Sequence, residues 1–348
     1  MFTRRHFLRT AATATTCALV PIRTRAQVPA IVSSPLILGQ GDFRYRVVPG
    51  WGVLGADTPV KNCHGLARDR AGHLILLTDH VANNVIVYDR AGRLVHKWGT
   101  NFPGAHGLSL VTEGTREVLF ITDLAKNLVA KTTLDGTVLG EWRWPENSGK
   151  YEKPDQYRPS WTLHLPNGEF FVLDGYGRDY ILHYGADGKL TRLLGGKEGG
   201  IAHWGPHGGM IDTPQNSDPT LLIAMSDQQY LLRLAIDGRH LGRTPLPGGN
   251  PRQIRRHRDH YFVAHLADNW PKDRNSRGFL SVLDANLCVV SNLAGTPPAY
   301  SDAGELQPMK TQDPVFIHPH DLLIDDDSSL YVAQFASNQT YPIKLERV

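Results

Sequence analysis

The chain of 348 residues holds sixteen histidines, and four of them, His64, His106, His207 and His320, head similar β-rich segments. A neutral imidazole can ligate a divalent ion through one nitrogen, or move a proton near neutral pH. Three converging imidazoles leave a position on such an ion open for water or substrate, which separates a catalytic site from a closed structural one. His106, His207 and His320 form the expected ligand set, and imidazoles suit zinc without excluding copper, nickel, iron or manganese. The competing account is a set of neutral, hydrogen-bonded histidines that pack a narrow channel. His64 is open between a fourth ligand, a proton shuttle and a filler beside the site. Thiolates offer no rival: Cys17, Cys63 and Cys288 contain no Cys-x-x-Cys spacing.

Histidines so far apart in sequence meet only if a repeated architecture brings them together. From His64 the chain runs through His73–Asp79, Asn84–Asp89 and Gly92–Trp98, short β-rich runs separated by turn pairs such as Ala71-Gly72 and Ala91-Gly92. The same order returns from His106, from Trp161, from His207, near Arg252 and from His320. Asp135-Gly136, Asp187-Gly188 and Asp237-Gly238 are strong hairpin signals between third and fourth strands. The pattern predicts an all-β, six-bladed β-propeller with four antiparallel strands per blade. The sixth copy lacks a clear fourth strand, and residues 35–60, including Arg44 to Val48, are expected to supply it.

In a propeller, matching positions of every repeat stand at one height. His64, His106, Trp161, His207, Arg252 and His320 therefore ring one mouth of the channel, with His106, His207 and His320 in alternate blades. The second strands end near the same mouth with Asp79-His80, Asp123, Asp174-Gly175-Tyr176, Asp227-Gln228, His265 and Gln334. The recurring acids read as caps of backbone amides at turns. Arg178, Arg252 or His265 is placed to orient an anionic or polyhydroxylated substrate. The segment Ala267 to Arg277 is expected to overhang the mouth. Trp161 and Trp270 are candidate stacking platforms, or else rim packing.

The first residues bear on destination. Arg4-Arg5-His6-Phe7-Leu8 precedes an apolar stretch from Ala11 to Ile22, and Thr24-Arg25-Ala26 follows. That stretch is about 12 residues, too short to span a bilayer, so residues 1–26 read as a cleaved signal of twin-arginine type. The expected mature chain, 27–348, is one propeller domain in the periplasm or outside the cell, and no membrane span is expected. The leader carries five arginines and no acid, so the balance falls from +3 to 32 basic against 34 acidic residues. A nucleic-acid surface is not supported. A monomer is expected.

On these residues the chain resembles the NHL-type propellers, and in particular the peptidyl-α-hydroxyglycine α-amidating lyase family. The elements that carry the resemblance are His106-Gly107-Leu108-Ser109, Asp174-Gly175-Tyr176, Pro206-His207 and Pro319-His320-Asp321. It implies a catalytic zinc on His106, His207 and His320, and Tyr176 as general base. It also implies a structural calcium held by Asp321 with the carbonyls of Leu66 and Leu108. The two arginines that hold the substrate carboxylate in that family are replaced here by Asp79-His80 and Asp227-Gln228, and Gly177 stands where the family has a cysteine. His64 is not part of the family pattern. The resulting expectation is a secreted metal-dependent lyase acting on a small molecule, peptide or sugar. The alternatives are a carbohydrate lyase or hydrolase on the same metal platform, and a non-enzymatic binding propeller.

Overall fold

The computed structural model describes residues 36–196, 203–214, 217–335 and 340–348. Six antiparallel sheets follow one another along the chain, five of four strands and one of five. This is the six-bladed β-propeller that the repeats predict. The expected leader, residues 1–26, lies outside the described residues. Among the described residues no helix is long and apolar enough to cross a membrane.

The middle strands are apolar on both faces because each blade is packed between two others. Leu74–Thr78 and Val85–Tyr88 are buried along their whole length, whereas the outermost strand Leu94–Trp98 has no buried residue. The core lies between blades: Ile75 and Val85 of the first meet Leu119 and Ile121 of the second. At the Asp135-Gly136 turn, Gly136 adopts φ 94°, a left-handed conformation that favours glycine.

The ring closes as expected. Ile343–Arg347 pairs with Leu330–Gln334 on one side and with Tyr45–Val48 on the other, placing Val47 opposite Leu345. Ile37–Leu38 adds a fifth strand outside it. Closure joins the two ends of the described chain in one sheet, whose outer edge is the short strand Ile37–Leu38.

The feature that creates the site lies at the heads of the inner strands. These run Cys63–Arg68, Ala105–Glu113, Trp161–His164, Pro206–Asp212, Pro251–His257 and Pro319–Ile324. Five of the six slip register at their start, between Cys63 and Gly65, Ala105 and Leu108, Pro206 and Gly208, Pro251 and Gln253, and Pro319 and Asp321. The slipped segments contain His64, His106, His207, Arg252 and His320. A bulge leaves a residue unpaired and re-aims its side chain, here toward the channel. The third blade pairs Trp161 with Leu173 without a slip. Its tryptophan consequently packs in the core with Leu221 and Ile223 of the fourth blade. Trp161 is thus not a stacking platform at the mouth.

Leu345 is fully buried in the closing strand. Leu345→Ala is expected to lower stability by about 2–5 kcal/mol, read from the urea midpoint. An unchanged midpoint would show that the seam contributes nothing to holding the ring.

Candidate metal centre

Four imidazoles meet at the channel mouth, all of them buried. Ring centroids of His106 and His320 are 4.6 Å apart. His64 stands 4.8 and 4.7 Å from these two, and His207 4.9 and 4.8 Å. The His106–His320 pair is therefore flanked by His64 on one side and His207 on the other.

The backbone decides which nitrogens face inward. Nδ1 of His106 lies 2.9 Å from the Ser160 carbonyl, Nδ1 of His207 3.0 Å from that of Arg252, and Nδ1 of His320 2.7 Å from that of His64. Each histidine of an even blade thus bonds to the head of the next odd blade. A carbonyl only accepts, so in the neutral ring Nδ1 carries the hydrogen and Nε2 keeps its lone pair. Glycine permits this approach: a Cβ at Gly107 would stand 2.5 Å from the Ser160 oxygen, and one at Gly208 2.2 Å from that of Arg252.

The inward nitrogens of His106 and His320 are 3.1 Å apart. With both Nδ1 hydrogens committed elsewhere, two lone pairs face each other across that gap. Burial pushes both pKa values well below the usual histidine range, and the neighbouring rings add to the shift. A proton is therefore disfavoured there, and a divalent cation fits. Two nitrogens on one tetrahedral zinc stand about 3.3 Å apart, given bonds of roughly 2.0–2.1 Å.

A third nitrogen near this pair comes from His64, open in the sequence between ligand, proton shuttle and filler, while His207 is turned to another partner. His64, His106 and His320 each offer a nitrogen within 4.8 Å of the other two. Among the described residues neither ring nitrogen of His64 has a partner, and burial lowers its pKa to about 3. The inward Nε2 of His207 is instead engaged, 3.0 Å from the Tyr176 hydroxyl. That hydroxyl also accepts from Nη1 of Arg252 at 3.3 Å. The result is a closed circuit: the Arg252 guanidinium donates to Tyr176, Tyr176 to His207, and His207 to the Arg252 carbonyl. Withdrawal from water raises the Tyr176 pKa, and the charge of Arg252 opposes that rise.

Other expected residues lie elsewhere. His265 is fully buried, stacked on Phe279 at 4.6 Å and bonded to Ser281 Oγ at 2.9 Å, so it packs a blade rather than facing substrate. Arg178 turns to Gln156, 3.2 Å away, and does not line the pocket above the imidazoles. Arg158 and Phe335 do line it, and sequence reasoning missed both. The usable signal was place rather than type, since each borders an inner or second strand at this mouth. Trp270 of the overhanging segment lines the pocket as expected, with Arg274 4.8 Å over its ring. Asp123 and Asp174 cap backbone amides as expected, Asp174 accepting from Arg158 and Arg178.

The expected calcium site does not fit. Asp321 is fully buried, and its carboxylate is held by Arg255, with Nη2 at 2.6 Å and Nε at 3.0 Å. The same guanidinium donates to the carbonyls of Leu66 and Leu322, at 2.9 and 3.1 Å. A fixed organic cation thus sits where the ion was expected, joining the fifth, sixth and first blades. Leu108 packs in the core between the first two blades.

No family model matches the chain. Over 111 residues it is 32% identical to peptidyl-α-hydroxyglycine α-amidating lyase 1 of Drosophila melanogaster, a stretch covering 30% of this chain. That stretch is only 19% of the relative's length. Among solved structures, a streptogramin B lyase aligns with TM-score 0.56 and 16% identity, over 83% of this chain and 94% of that one. A catalytically inactive histidine-to-alanine variant of virginiamycin B lyase from Staphylococcus aureus, solved with quinupristin, gives 0.56 and 15% over 88% and 100%. A putative glucose dehydrogenase from Thermus thermophilus gives 0.54 and 16% over 86% and 99%. At these identities the structures share the fold. The lyase likeness in sequence is partial.

Two outcomes follow from the geometry. Arg255→Ala leaves Asp321 buried and unpaired, and is expected to cost about 2–4 kcal/mol in chemical unfolding, while calcium added to chelator-treated wild-type protein leaves the melting temperature unchanged. A calcium-dependent rise would contradict this assignment. Burial lowers the His265 pKa to about 3. The unfolded chain binds that proton below about 6.5 while the folded chain does not. Its contribution is therefore full above that pH and is lost as pH falls, by roughly 1.4 kcal/mol per unit. His265→Gln should lose about 2 kcal/mol less than wild type between pH 6.5 and 5, measured by urea unfolding at both values.

Proposed function

We propose that the protein is an exported, metal-dependent lyase whose ion is held by His106, His320 and His64. The observation that carries this reading is the 3.1 Å approach of two inward Nε2 atoms whose rings already donate through Nδ1. A divalent ion held there supplies Lewis-acid polarisation of a substrate oxygen. Zinc suits an all-imidazole set. The lyase class is supported by the partial likeness to the amidating lyase and by the shared fold of the streptogramin B lyase. Export is supported by the Arg4-Arg5 leader.

The chain's own residues supply proton movement. Tyr176 stands at the pocket wall, the residue 37% exposed and its hydroxyl set between His207 and Arg252. In its ionised form Tyr176 takes the proton of a substrate hydroxyl, and Arg252 stabilises that phenolate through the 3.3 Å bond. His207, whose lone pair is turned to Tyr176 by its bond to the Arg252 carbonyl, positions the phenol oxygen rather than keeping a proton, since burial and the charge of Arg252 push its pKa well below the usual range.

Elemental analysis of protein purified without chelators is expected to find about one divalent ion per chain. His106→Ala and His320→Ala should abolish it, and His64→Ala should weaken it. His207→Ala and Tyr176→Phe should retain the ion and lower turnover of a peptidyl-α-hydroxyglycine by roughly 10²–10⁴-fold. Metal content unaffected by His106→Ala and His320→Ala would overturn the proposal.

A further inference from the structure

We infer that the cleft at the opposite mouth of the channel is a second binding site, for an uncharged apolar molecule whose hydroxyl donates to Nδ1 of His164. The second, third and fourth inner strands end there. The site shares no residue with the imidazole cluster and stands independently of the ion. Its volume is about 810 Å³, within the usual range for small-molecule pockets. It exists because inner strands of unequal length lie side by side. The third runs only from Trp161 to His164, whereas the second continues to Glu113 and the fourth to Asp212. The short strand leaves a notch between two longer neighbours.

His164 ends that short strand and lines the cleft. A chain of hydroxyls sets its tautomer. Ser109 Oγ donates to the Thr162 carbonyl at 2.9 Å, so the Thr162 hydroxyl donates to Ser109 Oγ, also at 2.9 Å. With that hydrogen used, Thr162 Oγ1 can only accept, and Nε2 of His164 donates to it at 2.9 Å. Burial, with the charge of Lys131, lowers the His164 pKa to about 3. The ring is therefore neutral near neutral pH, and Nδ1 keeps its lone pair. Among the described residues no group donates to Nδ1, and the atom is not sealed inside the protein. The ring is held in place by Phe120 at 4.3 Å and Phe170 at 5.5 Å.

The other walls set the rest of the occupant's chemistry. The charged side chains that line the cleft are already paired, Lys131 with Glu113 and Arg255 with Asp321, both at 2.6 Å. A charged ligand would lose hydration there and meet no unmatched counter-charge. Leu110, Val111, Met210 and Ile211 also line the cleft, each only partly buried at the edge of a different between-blade core. Apolar walls with one fixed acceptor select an apolar body that carries a donor.

The test is NMR titration of the protein, labelled with ¹⁵N at histidine, with phenol, anisole and para-hydroxybenzoate. The readout is the His164 Nδ1 resonance, assigned by its absence from His164→Leu. Phenol is expected to shift that resonance and to bind at least roughly fivefold more tightly than anisole, whose oxygen cannot donate. Para-hydroxybenzoate, which adds a negative charge, should bind no more tightly than phenol. Met210→Trp fills the cleft without touching the hydroxyl chain, and should abolish the shift while metal content stays at the wild-type level. Anisole binding as tightly as phenol would overturn the inference, and so would tighter binding of para-hydroxybenzoate. A His164 resonance that phenol leaves unmoved, or a shift that survives in Met210→Trp, would overturn it equally.

Discussion

Two nitrogen lone pairs, one from the second blade and one from the sixth, are held face to face with no hydrogen between them. The constraint comes from backbone carbonyls that bind the opposite nitrogen of each ring and so fix its tautomer. Rotation of either ring away from the contact would sacrifice a buried hydrogen bond, and protonation is opposed by burial. Under the proposed function a cation would resolve the conflict, which is the usual logic of a histidine metal site whose outer nitrogen is anchored to a carbonyl. The neighbouring circuit of Arg252, Tyr176 and His207 follows from the same rule. There the inward nitrogen meets a hydroxyl instead of a second imidazole.

The propeller imposes this arrangement through a local irregularity repeated around the ring. An unbroken inner strand sends its first side chain between blades, as Trp161 shows. A bulged one turns it into the channel. The glycines after His106 and His207 let the next blade's carbonyl come close enough to bind the ring. Blade packing, bulge and glycine thus act together, and the threefold alternation of donors and carbonyls is their consequence. Lower in the channel Arg255 performs a comparable joining role between blades with a guanidinium, and its charge offsets that of a carboxylate withdrawn wholly from water.

Much of this was legible in the sequence, for a physical reason. Six copies of the same strand order, with Asp-Gly turns at matching places, fix the fold class, and the strand around Arg44 to Val48 was readable as the missing edge. The convergence of His64, His106, His207 and His320 followed from repeat position. What failed depended on side-chain direction, which repeat position alone does not set. Trp161 occupies an equivalent place but lacks the bulge, and His265 ends a second strand yet packs inside the blade. Arg178 and Arg158 flank the same Asp174, and only the second reaches the pocket. Arg255 was invisible because its partner, Asp321, was read as an ion ligand. Repeat position also does not say which of His64 and His207 meets the Tyr176 hydroxyl; the contact falls on His207.

The central claim is that an ion, rather than a shared proton, resolves the contact between His106 and His320. Anomalous diffraction on crystals grown without chelators, collected on both sides of the zinc absorption edge, tests it most directly. The account predicts an edge-dependent peak between the two Nε2 atoms and within bonding reach of His64. Clean density showing the two nitrogens in direct contact, with no such peak at the edge of zinc or of any other transition metal present, would contradict it.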